Sequence, residues 1–183
     1  MKGPKPEGAM LGDEFKPESC MADYESACWK SMRDNFPSMQ MHGCLFHFSQ
    51  AINKNVIRLG LIKDYKTPDS TIRNLIRGVY SLPYLPPRDM YPAFETLKSQ
   101  ASEELCENSE KLQEFFRYVT KTWFGSSNWK AANISAYQRM VRTNNDIEGY
   151  HNRLNIRSAA QISPVSIANL IKVLYEEAKL VKV

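Results

Sequence analysis

No apolar run in this sequence approaches the roughly 20 residues of a membrane-spanning helix, so a bilayer-crossing function is not expected. The opening Met1-Lys2-Gly3-Pro4-Lys5-Pro6-Glu7-Gly8 has no apolar core of a secretory signal, and the expectation is a nuclear or other intracellular protein. Only four cysteines are present, Cys20, Cys28, Cys44 and Cys106, and their uneven spacing excludes a disulfide framework. There is no internal repeat and no low-complexity run. Strand signals are scarce, and no third convincing strand is found. Residues 1–16 are rich in Pro and Gly and read as a disordered lead-in.

What is present is enough to pack. Hydrophobic residues make up 43% and aromatics 11% of the 183 residues, which suits one domain or slightly more. Ser19-Cys20-Met21-Ala22 is a short apolar run that reads as a buried strand, and Met39 to Phe46 reads as a second. Tyr24 to Phe36 reads as a helix with Tyr24, Ala27, Cys28, Met32 and Phe36 inward, stopped by Pro37. From Phe48, helical spacing recurs in Phe48, Ile52, Val56 and Leu59, closed by Gly60. Further stripes are Ile72, Leu75, Ile76 and Val79, then Phe94, Leu97, Ala101 and Leu105, then Leu112, Phe115, Phe116, Val119 and Trp123. These aromatic stripes read as core and not as a base-stacking platform. Trp129 to Val141 is ambiguous. Ser163-Pro164 reads as an N-cap with Pro at the first helical position, opening a last helix with Ile167, Leu170, Ile171 and Leu174 inward.

The net charge of +4 is unevenly placed. Lys54, Arg58, Lys63, Lys66, Arg73 and Arg77 cluster in one stretch, which suits either a phosphate backbone or a solvated helix face.

The segment from Arg142 to Arg157 is the densest in polar side chains. Thr143, Asn144 and Asn145 are all good N-caps. With Asn145 as cap, Glu148 closes a capping box. Gly149 in the first turn costs about 1 kcal/mol against Ala, which favours a second role for the neighbouring carboxylate. His151 suits a supporting hydrogen bond or a phosphate contact, and Arg142, Arg153 and Arg157 suit phosphate contacts or ordinary exposure. Asp23 stands where a strand gives way to a helix, where capping is its ordinary role. Cys44 and His47 are zinc-ligand types, but one Cys-x-x-His supplies only half a structural site. Cys20, Cys28, His42 or Cys106 would have to complete it, so a buried cysteine with a hydrogen-bonded histidine is the expectation.

Three motifs together resemble the transposases of Mutator-like elements. Asp23-Tyr24-Glu25 with Phe36-Pro37 resembles that family's second-aspartate segment. Gly43-Cys44-Leu45-Phe46-His47-Phe48-Ser49-Gln50 resembles its Cys-x-x-His segment. Thr143-Asn144-Asn145 leading to Glu148 resembles the helix that bears its catalytic glutamate. The resemblance spans roughly residues 17 to 175. It implies a mostly α chain with a small β component: an incomplete ribonuclease-H-like core with an all-helical insertion. The parts would be 17–59, a partial core; 60–141, the insertion; and 142–183, the glutamate-bearing helix and a C-terminal helix. The resemblance also implies DNA as partner and Mg²⁺ held by Asp23 and Glu148 for phosphodiester cleavage and strand transfer. Lys54, Arg58, Arg142, Asn144, Asn145, His151 and Arg153 would be the DNA-contacting residues. The family's first aspartate and its strands have no counterpart before Asp23, and its zinc-bearing DNA-binding module is missing too. The expectation is therefore a fragment or relic, inactive alone, that forms a homo-oligomer or packs with an N-terminal half. The alternative is a non-catalytic DNA- or protein-binding helical module of the same origin.

Overall fold

The computed structural model describes residues 16–103 and 109–145, and singly 148, 149, 152, 171, 172, 175, 176 and 179. The chain divides into two compact units, one ending at Arg142 and the other beginning at Thr143. The described residues are mostly helical, with one small sheet. Among them, no helix is long and apolar enough to cross a membrane.

The first unit opens with β1 (Ser19–Ala22), α1 (Ser26–Asn35) and β2 (Gln40–Gly43). The strands pair in parallel, with Ser19 opposite Gln40 and Ala22 opposite Gly43, and α1 is the crossover that a parallel pair requires. Two bonds extend the ladder: the Gln40 N–H donates to the Glu18 carbonyl at 2.9 Å, and the Cys44 N–H to the Ala22 carbonyl at 3.0 Å. The Asn133 side-chain amide donates to the Met41 carbonyl at 2.8 Å, so the β2 backbone gains a side-chain partner from outside the sheet.

Helices fill the rest of the unit: α2 (Leu45–Arg58), α3 (Ile62–Lys66), α4 (Thr71–Ser81), α5 (Pro87–Glu103), α6 (Ser109–Val119) and α7 (Ala131–Ile134). A 3₁₀ turn at Leu82–Tyr84 joins α4 to α5, and a π turn at Thr120–Phe124 extends α6. In α2, Phe48, Ile52 and Val56 recur every fourth residue and are buried. Its end is a Schellman motif: the Gly60 N–H returns to Ile57 and the Leu61 N–H to Val56. Gly60 takes the left-handed conformation this requires (φ 70°), and Leu61 then plugs the core, fully buried. Phe94, Leu112, Phe115, Phe116, Val119 and Trp123 join the same core, as their spacing predicts.

The first helix departs from expectation. It starts at Ser26, not Tyr24, because Glu25 keeps an extended backbone (φ −98°, ψ 117°). The buried face also differs from the one read: Trp29 is fully buried and Ala27 is exposed. Tyr24 turns inward as expected, but from outside the helix, among the chain's three tryptophans, with ring centroids 4.7 Å from Trp123, 5.3 Å from Trp129 and 6.1 Å from Trp29. β2 is also shorter than expected, since α2 begins at Leu45 and not near Phe48. Of the ambiguous stretch, only Ala131–Ile134 is helical.

In the second unit a helix begins at Asn145, and the Glu148 N–H bonds the Asn144 carbonyl at 3.0 Å. Asn144 is therefore the residue before the helix, one place earlier than expected. Glu148 is then one position too far along for the capping box. Ile171, expected inward, is exposed, as is Tyr175 one turn on. Ile167, Leu170 and Leu174 lie outside the described residues.

Candidate metal centre at the carboxyl ends of the parallel strands

Strand register and one helix start bring Asp23, Cys44 and His47 to a single point. The ladder ends with Ala22 opposite Gly43, so Asp23 and Cys44 leave the sheet side by side. Cys44 bonds back to Ala22 and then serves as N-cap of α2, with an extended backbone (φ −70°, ψ 123°). His47 follows three residues later, on the same side of the first helical turn. The Leu45 N–H, one of the donors a helix start leaves over, is taken up by the Arg142 carbonyl at 2.9 Å.

The ligand-type atoms of these three side chains all lie within 4.8 Å of one another. His47 Nδ1 is 2.9 Å from Asp23 Oδ1. Cys44 is fully buried, whereas the side chains of His47 and Asp23 are 22% and 48% exposed. The site thus has a thiol floor and a carboxylate rim open to water. Asp23 is no helix cap, because Glu25 occupies that position.

The surroundings hold Asp23 in place. The Trp29 indole N–H donates to the Asp23 carbonyl at 2.6 Å. Tyr24 lies over Gly43, where a Cβ would fall inside the phenolic end of the ring, so a glycine is required there. The buried Tyr24 hydroxyl makes no hydrogen bond among the described residues. Burial pushes the Tyr24 phenol well above its ordinary pKa, the Cys44 thiol adds to the shift, and Arg139 opposes it. Burial, and then the Arg139 charge, hold the His42 imidazole below its ordinary value. Burial likewise lowers Arg139, with Tyr24 opposing.

Arg139 is a neighbour of the site that sequence reasoning missed. It follows Gln138, whose left-handed backbone (φ 55°) is uncommon for a side-chain-bearing residue, and it donates to the Ala132 carbonyl at 2.7 Å. It lies in the stretch with no clear periodicity, so no sequence signal marked it.

Arg58 is engaged by Glu114 at 3.1 Å and by Asn55 at 2.9 Å, which explains its place on α2 without a nucleic acid. Lys54 is exposed on the same helix. The Arg142 side chain donates to the Arg139 carbonyl at 3.0 Å and stacks over Tyr84. Asn144, Asn145 and Glu148 belong to the second unit, where Glu148 and Asn145 are exposed. His151, Arg153 and Cys106 lie outside the described residues. Cys20, Cys28 and His42 are not in the cluster; the third partner of Cys44 and His47 is Asp23.

This donor set decides which ion would suit it. Mg²⁺ asks for an octahedron of oxygens. Among the described residues, the donors clustered with Asp23 are a sulfur and a nitrogen, so this cluster does not fit the Mg²⁺ that the resemblance implies. No family model matches this chain, and no curated protein or solved structure matches it either.

Proposed function

We propose that this chain is a non-catalytic derivative of a Mutator-like transposase catalytic domain, with DNA as its partner class. The observation that carries the reading is the parallel β1–α1–β2 unit. Asp23 stands just past the end of its first strand, and Cys44-x-x-His47 just past the end of its second. Carboxyl ends of parallel strands are where open sheets with helical crossovers place their sites. A long helical region follows, in the position of the family's insertion. In this reading the unit corresponds to the second-aspartate part of a ribonuclease-H-like core, and Glu148 is the counterpart of the catalytic glutamate.

The loss of catalysis is argued from chemistry. Two-metal phosphodiester cleavage needs carboxylates that converge on a pair of hard cations. The Asp23 carboxylate is paired instead with His47, beside a buried thiol. The test is nicking of supercoiled DNA by the full chain with Mg²⁺ or Mn²⁺. No nicking above an Asp23→Asn control is expected, and nicking that Asp23→Asn abolishes would overturn the reading. DNA binding measured by fluorescence anisotropy should weaken steeply with salt and survive Glu148→Ala. Binding that is absent at low salt would remove DNA as partner.

A further inference from the structure

We propose that Asp23, Cys44 and His47 form a mononuclear site for a thiophilic divalent cation, with zinc the best chemical match and a fourth position open to water. This goes beyond the transposase reading and does not depend on it, since it rests on the donor atoms alone.

Three observations carry it. The donor types are right: thiolate, imidazole and carboxylate are the zinc ligands of proteins, and three protein ligands with one open position is the pattern of reactive zinc sites. The charge balances, because a thiolate and a carboxylate neutralise a divalent ion while the imidazole adds nothing, which suits a partly buried place. The geometry is close to closed. Zinc bonds of about 2.0–2.3 Å put two ligand atoms on one ion roughly 3.3–3.7 Å apart. The three atoms lie within 4.8 Å of one another, and the 2.9 Å Asp23–His47 pair is already tighter than a bound ion needs. Shifts of about 1 Å would bring the three atoms to that spacing, and the half-exposed Asp23 carboxylate is the side chain freest to move. That helix start also favours the thiolate and carboxylate through its positive end.

The test is titration of the full reduced chain with Co²⁺, whose thiolate charge-transfer band reports a sulfur ligand and whose visible bands report tetrahedral geometry. One Co²⁺ per chain is expected, displaced by Zn²⁺ and not by a large excess of Mg²⁺. Cys44→Ser should abolish the near-ultraviolet band. Asp23→Asn and His47→Gln should each weaken binding by roughly 100-fold, the upper end of what losing even a supporting group costs. Cys20→Ser with Cys28→Ser should leave the band intact. Should Cys44→Ser fail to fold, Asp23→Asn decides, because its half-exposed side chain can change without disturbing the core. No band in the native chain, a band that survives Cys44→Ser, or unchanged affinity in Asp23→Asn would each overturn the proposal.

Discussion

Gly43→Ala should damage the protein by a route that involves the site directly. A Cβ at position 43 would fall within the phenolic end of Tyr24. A flexible side chain would normally swing aside at little cost. Tyr24 has little freedom to do so, because it is wedged among Trp29, Trp123 and Trp129. Overpacking of this kind costs roughly 1–3 kcal/mol. At about 2–4 °C per kcal/mol for a chain of this size, the melting temperature should fall by roughly 2–12 °C. Urea unfolding followed by tryptophan fluorescence is the assay, since all three tryptophans surround Tyr24. Tyr24→Phe alone should be neutral or stabilising by up to about 1 kcal/mol, because it removes a buried hydroxyl that has no hydrogen bond among the described residues. When the ring is removed first, by Tyr24→Ala, the atoms that the new Cβ would meet are gone and the Gly43→Ala penalty should shrink, giving a coupling of roughly 0.5–3 kcal/mol. Additive effects, or a Gly43→Ala variant within about 0.5 kcal/mol of the native chain, would refute the close approach of Tyr24 to the strand.

Trp29→Phe should cost roughly 1–3 kcal/mol by chemical denaturation, since it removes both core volume and the indole bond to the Asp23 carbonyl; an unchanged stability would show that the bond is not made. Arg58→Ala should cost at most about 1 kcal/mol, because both partners of the Arg58–Glu114 pair are about half exposed; a larger loss of stability would contradict a solvated pair. His42 gives a pH dependence. Its imidazole is held below the ordinary 6.5, so the folded chain binds its proton less readily than the unfolded chain does. Its stabilising contribution is full above that value and is lost as pH falls below it and through the lower folded value. Stability should therefore decline from neutral pH into the acid range, and His42→Gln should flatten that part of the curve; an equal slope in both proteins would remove His42 as the cause.

Much of the fold was legible, for local reasons. Ser19–Ala22 forms a strand where its apolar run places it, though half-buried to exposed and not buried as expected, and the described residues of the stripes from Phe48 to Trp123 are buried or partly buried where their spacing marks them, Leu105 lying outside the described residues. The parts that were not legible depend on contacts distant in sequence. Tyr24 turns inward as read, but Glu25 stays extended beside it and the helix starts late. The buried face carries Trp29 and not Ala27, through packing against the distant Trp123 and Trp129 cluster. The Cys-x-x-His pattern was visible, but its third partner was not, because parallel register alone puts Asp23 beside Cys44. Arg139 and Trp129 lie in a stretch without periodicity and join the structure only through tertiary packing.

The central claim is that Asp23, Cys44 and His47 meet at one point. X-ray absorption at the zinc edge of the zinc-loaded chain tests it most directly. The expected shell has one sulfur at about 2.3 Å and nitrogen or oxygen donors at about 2.0–2.2 Å. A chain that takes up no zinc, or a shell with no sulfur or with more than one, would contradict it.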